Sequence, residues 1–129
     1  MRMLVRTMSN YSGPREKSLN MVQLLGRVGA APVVRGDGGN KFVTFDMATN
    51  KYFQETGGAE DQITTKTQWH KIAVYKPFLV EKVEAYLKRG SRVMVIGSLE
   101  SVDYNTADGK KAISTRIVTD DVIMLSTGS

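Results

Sequence analysis

The stretch TQWHKIAVYKPFLVEKVEAYLKRG, residues 67–90, changes its hydrophobic period halfway along. Before Pro77 the residues alternate between two faces, with Ile72 and Val74 on one face and Trp69 on the other, which predicts a strand. After Pro77 apolar residues recur at helical spacing, which predicts a helix with proline in its first turn and Gly90 as its C-terminal cap. The apolar helix positions are Leu79, Val83, Tyr86 and Leu87.

Segments on both sides of this stretch complete a predicted barrel. Alternating or apolar patterns predict further strands at residues 19–29, 41–49, 91–100 and 112–125. Turn-forming residues separate strands at 36–40 and 105–111, and the polar residues 50–66 are interpreted as a long hairpin loop. The resulting order predicts an all-β OB-fold, a five-stranded Greek-key barrel with one helix between strands 3 and 4, typical of oligonucleotide or oligosaccharide binding.

Length and composition limit the remaining possibilities. We predict an N-terminal arm at residues 1–17, one domain at 18–126 and a short tail at 127–129. The arm is rich in arginine, with Glu16 as its only acid, so it is interpreted as a transit peptide, a flexible basic arm or a cloning remnant. The absence of cysteine excludes disulfides and thiolate metal sites. No apolar run is long enough for a membrane span, so no membrane partner is predicted.

The orientation of Trp69, the only tryptophan, follows from strand parity. Ile72 and Val74 suit a barrel core, so the face with Trp69, Lys71 and Tyr75 is predicted to be the outer one. Exposed rings beside cations suit a surface where bases stack and phosphates bind. The alternative is that Trp69 packs beneath a loop. Further rings near the two hairpins, which would continue a stacking track, are Tyr52, Phe53 and Tyr104.

Five segments resemble, in order, the blocks of the bacterial-type single-stranded DNA-binding protein family. They are MVQLLGRVGAAPVVR, FDMATNKYF, TQWHKIAVYKP, YLKRGSRVMVIGSLE and TRIVTDDVIML, and the match runs from about residue 19 to residue 125. The last block and the Lys-Pro step after Tyr75 are most similar to the mitochondrial branch. The resemblance implies a homotetramer that binds and protects single-stranded DNA during mitochondrial replication and repair, in the nucleoid. The alternative location is the bacterial cytoplasm.

The resemblance also implies partners and site residues. The partners are single-stranded DNA, other copies of this chain, and replication helicase and polymerase; no cofactor, metal or catalytic residue is expected. The stacking positions are Phe53, Trp69, Tyr75 and Tyr104. The basic family positions are Arg35, Lys71 and Arg89, and proximity in sequence adds Lys51, Lys76 and Lys88 as phosphate contacts. The predicted subunit contacts are His70, Arg92, Met94 and Ile96.

Some residues depart from the family pattern. Phe53 and Tyr104 stand where many bacterial members have tryptophan, and smaller rings offer less stacking area. Glu100 and Asp103 make the exit of the fourth predicted strand acidic, so weaker contact with DNA is expected there. The sequence ends at LSTGS, which indicates either that the partner recruitment by a long acidic-tipped tail is lacking or that the chain is truncated.

Two other classes of protein remain as alternatives. A different OB-fold binder, such as an RNA-binding or primosome-type accessory protein, would lack part of the four-ring set. A nuclease would need clustered carboxylates for divalent ions, and the adjacent Asp120 and Asp121 point to opposite faces of a strand. The single histidine, His70, is either a ligand or pH switch or, as we favour, a packed or subunit-contact residue. We therefore predict no enzymatic activity.

Overall fold

In a computed structural model, residues 15–36, 39–55 and 62–126 are described, and they form six strands and one helix. The strands are β1 (Val22–Val28), β2 (Val33–Arg35), β3 (Phe42–Glu55), β4 (Gln62–Val74), β5 (Arg92–Asn105) and β6 (Lys111–Ser126). Helix α1 (Pro77–Tyr86) connects β4 to β5. Most of the predicted arm, residues 1–14, and the predicted tail, residues 127–129, lie outside the described residues.

Five strands close into a barrel in the order β1-β5-β6-β4-β3, and β3 pairs back with β1. Neighbouring strands are antiparallel except β4 and β6, which pair in parallel at Ile72 and Ala73. The short strand β2 is added to β3 on the outside of this circuit. Since the helix follows the third barrel strand, the predicted OB-fold is confirmed.

The barrel core follows the alternation predicted from the sequence. Val43, Phe45 and Met47 of β3 are buried, as are Ile72 and Val74 of β4. Helix α1 covers the same core through three buried side chains, Leu79, Val80 and Val83. Because consecutive strand residues point to opposite faces, the buried set fixes which residues of β3 and β4 face outward.

Helix α1 differs from the sequence prediction at its end and on its buried face. It begins at Pro77 as predicted but ends at Tyr86, and Leu87 is its C-cap in an extended conformation. Gly90 is therefore not the cap; it has a φ of 85°, and its N–H donates to the carbonyl oxygen of Val28 at 2.8 Å. Tyr86 is exposed and Val80 is buried in its place, so the buried stripe is turned slightly towards Val80, while Leu79, Val83 and Leu87 are buried as predicted.

Much of the segment 50–66, whose polarity predicted a loop, belongs to two strands. Strand β3 continues to Glu55 and β4 begins at Gln62, and residues 50–55 pair with residues 62–67, while residues 56–61 lie outside the described residues. We call residues 50–55 and 62–67 the β3–β4 ribbon. Because its described side chains are exposed on both sides, no hydrophobic alternation marks it. Its β-branched residues favour an extended chain all the same, at Ile63, Thr64, Thr65 and Thr67.

The second hairpin is extended in the same way. Strands β5 and β6 stay paired as far as Asn105 and Lys111, so Tyr104 lies within a strand and not beyond one. We call residues 99–105 and 111–117 the β5–β6 ribbon. Leu99 has the same parity as the buried Val93 and Val95 but is half-exposed, because it lies past the end of β1. Its backbone N–H and C=O both pair with the side-chain amide of Asn20 at 2.9 Å.

The barrel closes where β1 approaches β3 at Gly26. A Cβ at this position would lie 2.1 Å from the carbonyl oxygen of Ala48. Ala48 pairs with Arg27, the residue that follows Gly26. Of the helices formed by the described residues, none is long and apolar enough to cross a membrane.

We expect Gly26→Ala to lower the free energy of unfolding by about 1–3 kcal/mol, the range for an added methyl group without space. The methyl group meets backbone, so relief requires β1 and β3 to separate. Chemical denaturation followed by circular dichroism measures the change. Gly39→Ala is the matched control, because nothing lies within 4 Å of its added Cβ. Equal stability of the two variants would contradict this account of closure.

Candidate nucleic-acid interface

Trp69 lies on the outward face of β4, as predicted, and 61% of it is exposed. The six-membered ring of the indole lies close to the backbone of Gly29, because a Cβ there would lie 2.4 Å from Cζ3 and 2.8 Å from Cη2 of the ring. The Gly29 N–H donates to the carbonyl oxygen of Asp46 at 2.9 Å, which fixes this support to β3. The alternative that Trp69 is buried beneath a loop is therefore wrong. The connection after β1 contacts the ring but leaves most of it exposed.

A groove of about 400 Å³ lies on the outward side of β3 and β4. Its apolar lining comes from small and aromatic side chains, at Ala30, Ala31, Val33, Phe42 and Ala73. Three cations line the groove, Arg35 on β2, Lys71 on β4 and Arg116 on β6, and one acid, Asp46, stands directly opposite Lys71. Apolar surface beside an excess of cations suits a ligand with flat rings and negative charges.

Tyr75, at the end of β4, is already in contact with other groups of the protein. Its ring stacks with that of Phe42, with centroids 5.0 Å apart and planes at 26°. The guanidinium carbon of Arg116 lies over the Tyr75 ring, 5.5 Å from its centroid. Tyr75 is 38% exposed, so its ring is less open than that of Trp69.

Arg116 is held in place by Glu100, its direct partner in the pairing of β5 with β6. Its Nη2 and Nε both donate to Oε1 of Glu100, at 2.7 and 3.2 Å. This hydrogen bond raises the pKa of Arg116, so the side chain is a permanent cation. Neither Arg116 nor Phe42 stands out from the sequence alone. Parity beside buried Ile117 and Val43 places them outward, but only strand pairing reveals that they meet at Tyr75.

The predicted phosphate contacts occupy three different places. Arg35 and Lys71 line the groove, where Nε of Arg35 donates to Oγ1 of Thr44 at 2.8 Å. Lys76 is engaged by Asp120, with Nζ 3.7 Å from Oδ1 and 3.3 Å from the carbonyl oxygen. The other two helix-end cations, Lys88 and Arg89, are exposed after α1 and do not line the groove.

Lys51 lies on the β3–β4 ribbon, where its Nζ is 5.6 Å from the centroid of the Phe53 ring. Directly opposite Lys51 on β4 stands Lys66, a residue that sequence analysis did not select. Like charges directly opposite each other destabilise a pair of strands. An anion bound between them would remove that repulsion.

The four predicted stacking rings do not share one face. In the β3–β4 register Trp69 is opposite Ala48, and Tyr52 has the same parity as Ala48, whereas Phe53 points to the other side of the ribbon. Tyr104 has the same parity as Val102 and Glu100, which places it on the groove side of the β5–β6 ribbon. A chain that touches all four rings must therefore pass round the β3–β4 ribbon.

The predicted subunit-contact residues fall into two groups. Met94 and Ile96 point outward from β5; Leu25 of β1 is directly opposite Met94 on one side and Ile123 of β6 on the other. With Arg92 on the same face of β5, they form an apolar sheet surface, which we call the β1–β5–β6 face. His70 lies elsewhere, on β4, where Nε2 is 2.9 Å from Oγ1 of Thr49.

The acidic residues that the structure describes do not assemble into a metal site. Asp120 pairs with Lys76, and Oδ1 of Asp121 accepts from the N–H of Val122 at 2.9 Å. Among residues 15–36, 39–55 and 62–126, no group of three or more potential ligands could hold a metal ion.

A closed five-stranded barrel that presents rings and cations on the outside of β3 and β4 has the form of an OB-fold binding module. The chain matches the model of the single-strand binding protein family over residues 19–125. The mitochondrial single-stranded DNA-binding protein of Danio rerio is 42% identical over 116 residues, which are 86% of this chain and 79% of the relative. That of Drosophila melanogaster is 40% identical over 108 residues, 84% and 72% of the two chains.

The chain is also similar to solved structures. One is the Plasmodium falciparum SSB complex with ssDNA, with a TM-score of 0.76, 36% identity, and coverage of 88% of this chain and 100% of that one. The fold alone is shared with mitochondrial single-stranded DNA binding proteins from S. cerevisiae, at a TM-score of 0.65 and 19% identity over 87% and 100% of the chains.

These similarities show that the chain belongs to the single-strand binding protein family. The predicted resemblance is confirmed. Members of this family are binding proteins and not enzymes, in agreement with the prediction that the chain has no enzymatic activity. The curated relatives named above are mitochondrial proteins, which supports the predicted mitochondrial location.

We expect Gly29→Ala to displace the Trp69 ring, because the added methyl group would overlap the indole. Since Trp69 is the only tryptophan, its emission maximum should move to longer wavelength as the ring leaves the backbone for water. The midpoint of thermal unfolding should change little, because an exposed side chain can rotate away. Gly39→Ala serves as control and should leave the emission unchanged. An unaltered spectrum for Gly29→Ala would show that Gly29 does not support the ring.

Proposed function

We propose that this protein binds and protects single-stranded DNA, without sequence preference, during mitochondrial DNA replication and repair. The observation that carries the proposal is the exposed Trp69 ring, which lies against the Gly29 backbone and shares the outward face of β4 with Lys71. An indole 61% exposed contributes little to the core, but it is ready to stack on a base. Every base has a π-face, so stacking tolerates any sequence.

The groove supports contacts with the sugar-phosphate chain. Arg35 and Lys71 stand at its rim, and its apolar lining offers a surface for bases. Tyr75 and Tyr104 extend the stacking positions along its β5–β6 side. Because sequence-independent affinity for nucleic acid comes mainly from phosphate contacts and stacking, this combination suits a binder of any single strand.

The β3–β4 ribbon supports a path for DNA on its second side. Phe53 offers a ring there, and Lys51 lies over that ring with Lys66 opposite. The strand passes from the groove round the ribbon, so that Trp69 and Phe53 contact different nucleotides. Lys76, Lys88 and Arg89 form a further set of phosphate contacts near α1, of which Lys76 must first leave Asp120.

The test of this function is a titration with oligo(dT), which should quench the fluorescence of wild-type Trp69. We expect Trp69→Ala to weaken binding by about 1–3 kcal/mol, the range for one stacked base, as measured by the anisotropy of a labelled oligonucleotide. Tyr104→Ala should cost less, because Glu100 and Asp103 make its surroundings acidic.

Tyr86→Ala is the matched control for these variants. Tyr86 is an equally exposed ring, at 63%, but it lies on α1 away from the groove, so its loss should not change affinity. Binding by Trp69→Ala as tight as that of the wild type would refute the stacking proposal.

The β1–β5–β6 face supports assembly into a homotetramer. Leu25 and Ile123 remain partly exposed beside Met94 and Ile96. A contiguous exposed apolar surface of this kind is typical of a contact between proteins. Two-fold pairing of dimers is a simple closed symmetry that covers such a surface. His70, on β4, stands near a second boundary between subunits. Helicase and polymerase are the further partners that a role in replication entails.

We expect Met94→Glu to divide the tetramer, since it places a charge in the centre of the β1–β5–β6 face. Light scattering should give about four times the chain mass of 14.3 kDa for the wild type and a smaller mass for the variant. Phe78→Glu, which changes an exposed residue of α1, is the control and should leave the mass unchanged. A monomeric wild-type protein at micromolar concentration would contradict the proposed assembly.

A further inference from the structure

Arg116 is a cation on the proposed binding groove that is already engaged by a carboxylate of the protein. Its guanidinium lines the groove, yet two of its nitrogens donate to one carboxylate oxygen of Glu100. The two side chains are partly open to solvent, with 28% of Arg116 and 45% of Glu100 exposed. The pair is thus within reach of a ligand that enters the groove.

The position of Arg116 also affects Tyr75. The guanidinium lies over the tyrosine ring, and Phe42 stacks on the same ring. A base that is to stack on Tyr75 therefore meets a ring that already has two protein neighbours. Trp69 differs, since it lies beside the Gly29 backbone and 61% of it is already exposed.

A phosphate is a direct competitor for the guanidinium. Carboxylates and phosphates both bind arginine through charge-assisted hydrogen bonds of similar geometry. Exchange of Glu100 for a phosphate replaces one such contact by another, so the cost of leaving Glu100 is largely recovered. Ser114, also on the groove, neighbours Arg116 on the same face of β6 and adds a hydroxyl group to the same surface.

We propose that Arg116 is a DNA-phosphate contact that Glu100 restrains, and that a bound strand takes the guanidinium over from this carboxylate. The inference rests on the proposed single-stranded DNA binding and deepens it. Glu100 acts as a competitor inside the protein: it holds Arg116 over Tyr75 in the free state and lowers the affinity for DNA. Arg116 touches the ligand, whereas Glu100 acts only through Arg116.

The proposal predicts opposite effects for the two residues. Glu100→Gln keeps the shape of the side chain but removes the charge, and binding to oligo(dT) should tighten about two- to fivefold, the scale of a partly exposed ion pair. Arg116→Gln should weaken binding, and the slope of log K against log salt concentration should become shallower by about 0.7, the value for one phosphate contact on a single strand.

A double-mutant cycle separates this mechanism from simple repulsion. If Glu100 acts through Arg116, Glu100→Gln has no effect on affinity in the Arg116→Gln background. If Glu100 only repels DNA, the gain is the same in both backgrounds and the proposal is overturned. Asp103→Asn is the matched control: it removes one negative charge from the same strand, but from the other side of the β5–β6 ribbon. A gain in affinity of Asp103→Asn equal to that of Glu100→Gln would also overturn the proposal.

Thermal unfolding of each variant shows whether the pair is only structural. Lower unfolding midpoints with unchanged affinities for both single variants would refute the role in binding. The wild-type titration distinguishes a failure of the Arg116–Glu100 proposal from a failure of the proposed DNA binding. Failure of the wild type to bind oligo(dT) contradicts the function itself, whereas wild-type binding with an additive cycle contradicts only the role of Arg116 and Glu100.

Discussion

The contact of Gly26 with the carbonyl oxygen of Ala48 is the constraint on which the rest of the architecture depends. It allows β1 to pair with β5 along its length and with β3 at its end, and so turns an open sheet into a barrel. Closure determines which side of β3 and β4 is inside. A slip of one residue would reverse that choice for every side chain, including Trp69 and Lys71.

Site residues on strands with one buried face could be predicted from the sequence. Site residues on strands exposed on both faces, or brought together by pairing between distant strands, could not. Ile72 and Val74 predicted the outward direction of Trp69 because burial imposes alternation on a strand. The β3–β4 ribbon left no such trace, since its two sides are both in solvent. Arg116 escaped for a different reason: its proximity to Tyr75 depends on how β6 pairs with two other strands, which no local pattern records.

The rings of the candidate interface differ in how ready they are for a ligand. Trp69 rests on backbone and presents its free side to solvent, so its orientation is established before any ligand arrives. Tyr75 is in contact with Phe42 and Arg116 and must exchange a neighbour first. Immediate and delayed contacts therefore coexist at one candidate interface. This arrangement fits an interface where initial capture and full engagement are separate events.

The side chain of Asn20 has a consequence for how the barrel meets other chains. Strand β1 begins at Val22, whereas β5 continues beyond the point where β1 could pair with it. The backbone of Leu99 would there present a free N–H and C=O, the groups on which an extended segment from another molecule adds itself to a sheet. The amide of Asn20 occupies both of them. One side chain thus blocks β-augmentation at the backbone groups of β5 that lie directly beyond the end of β1.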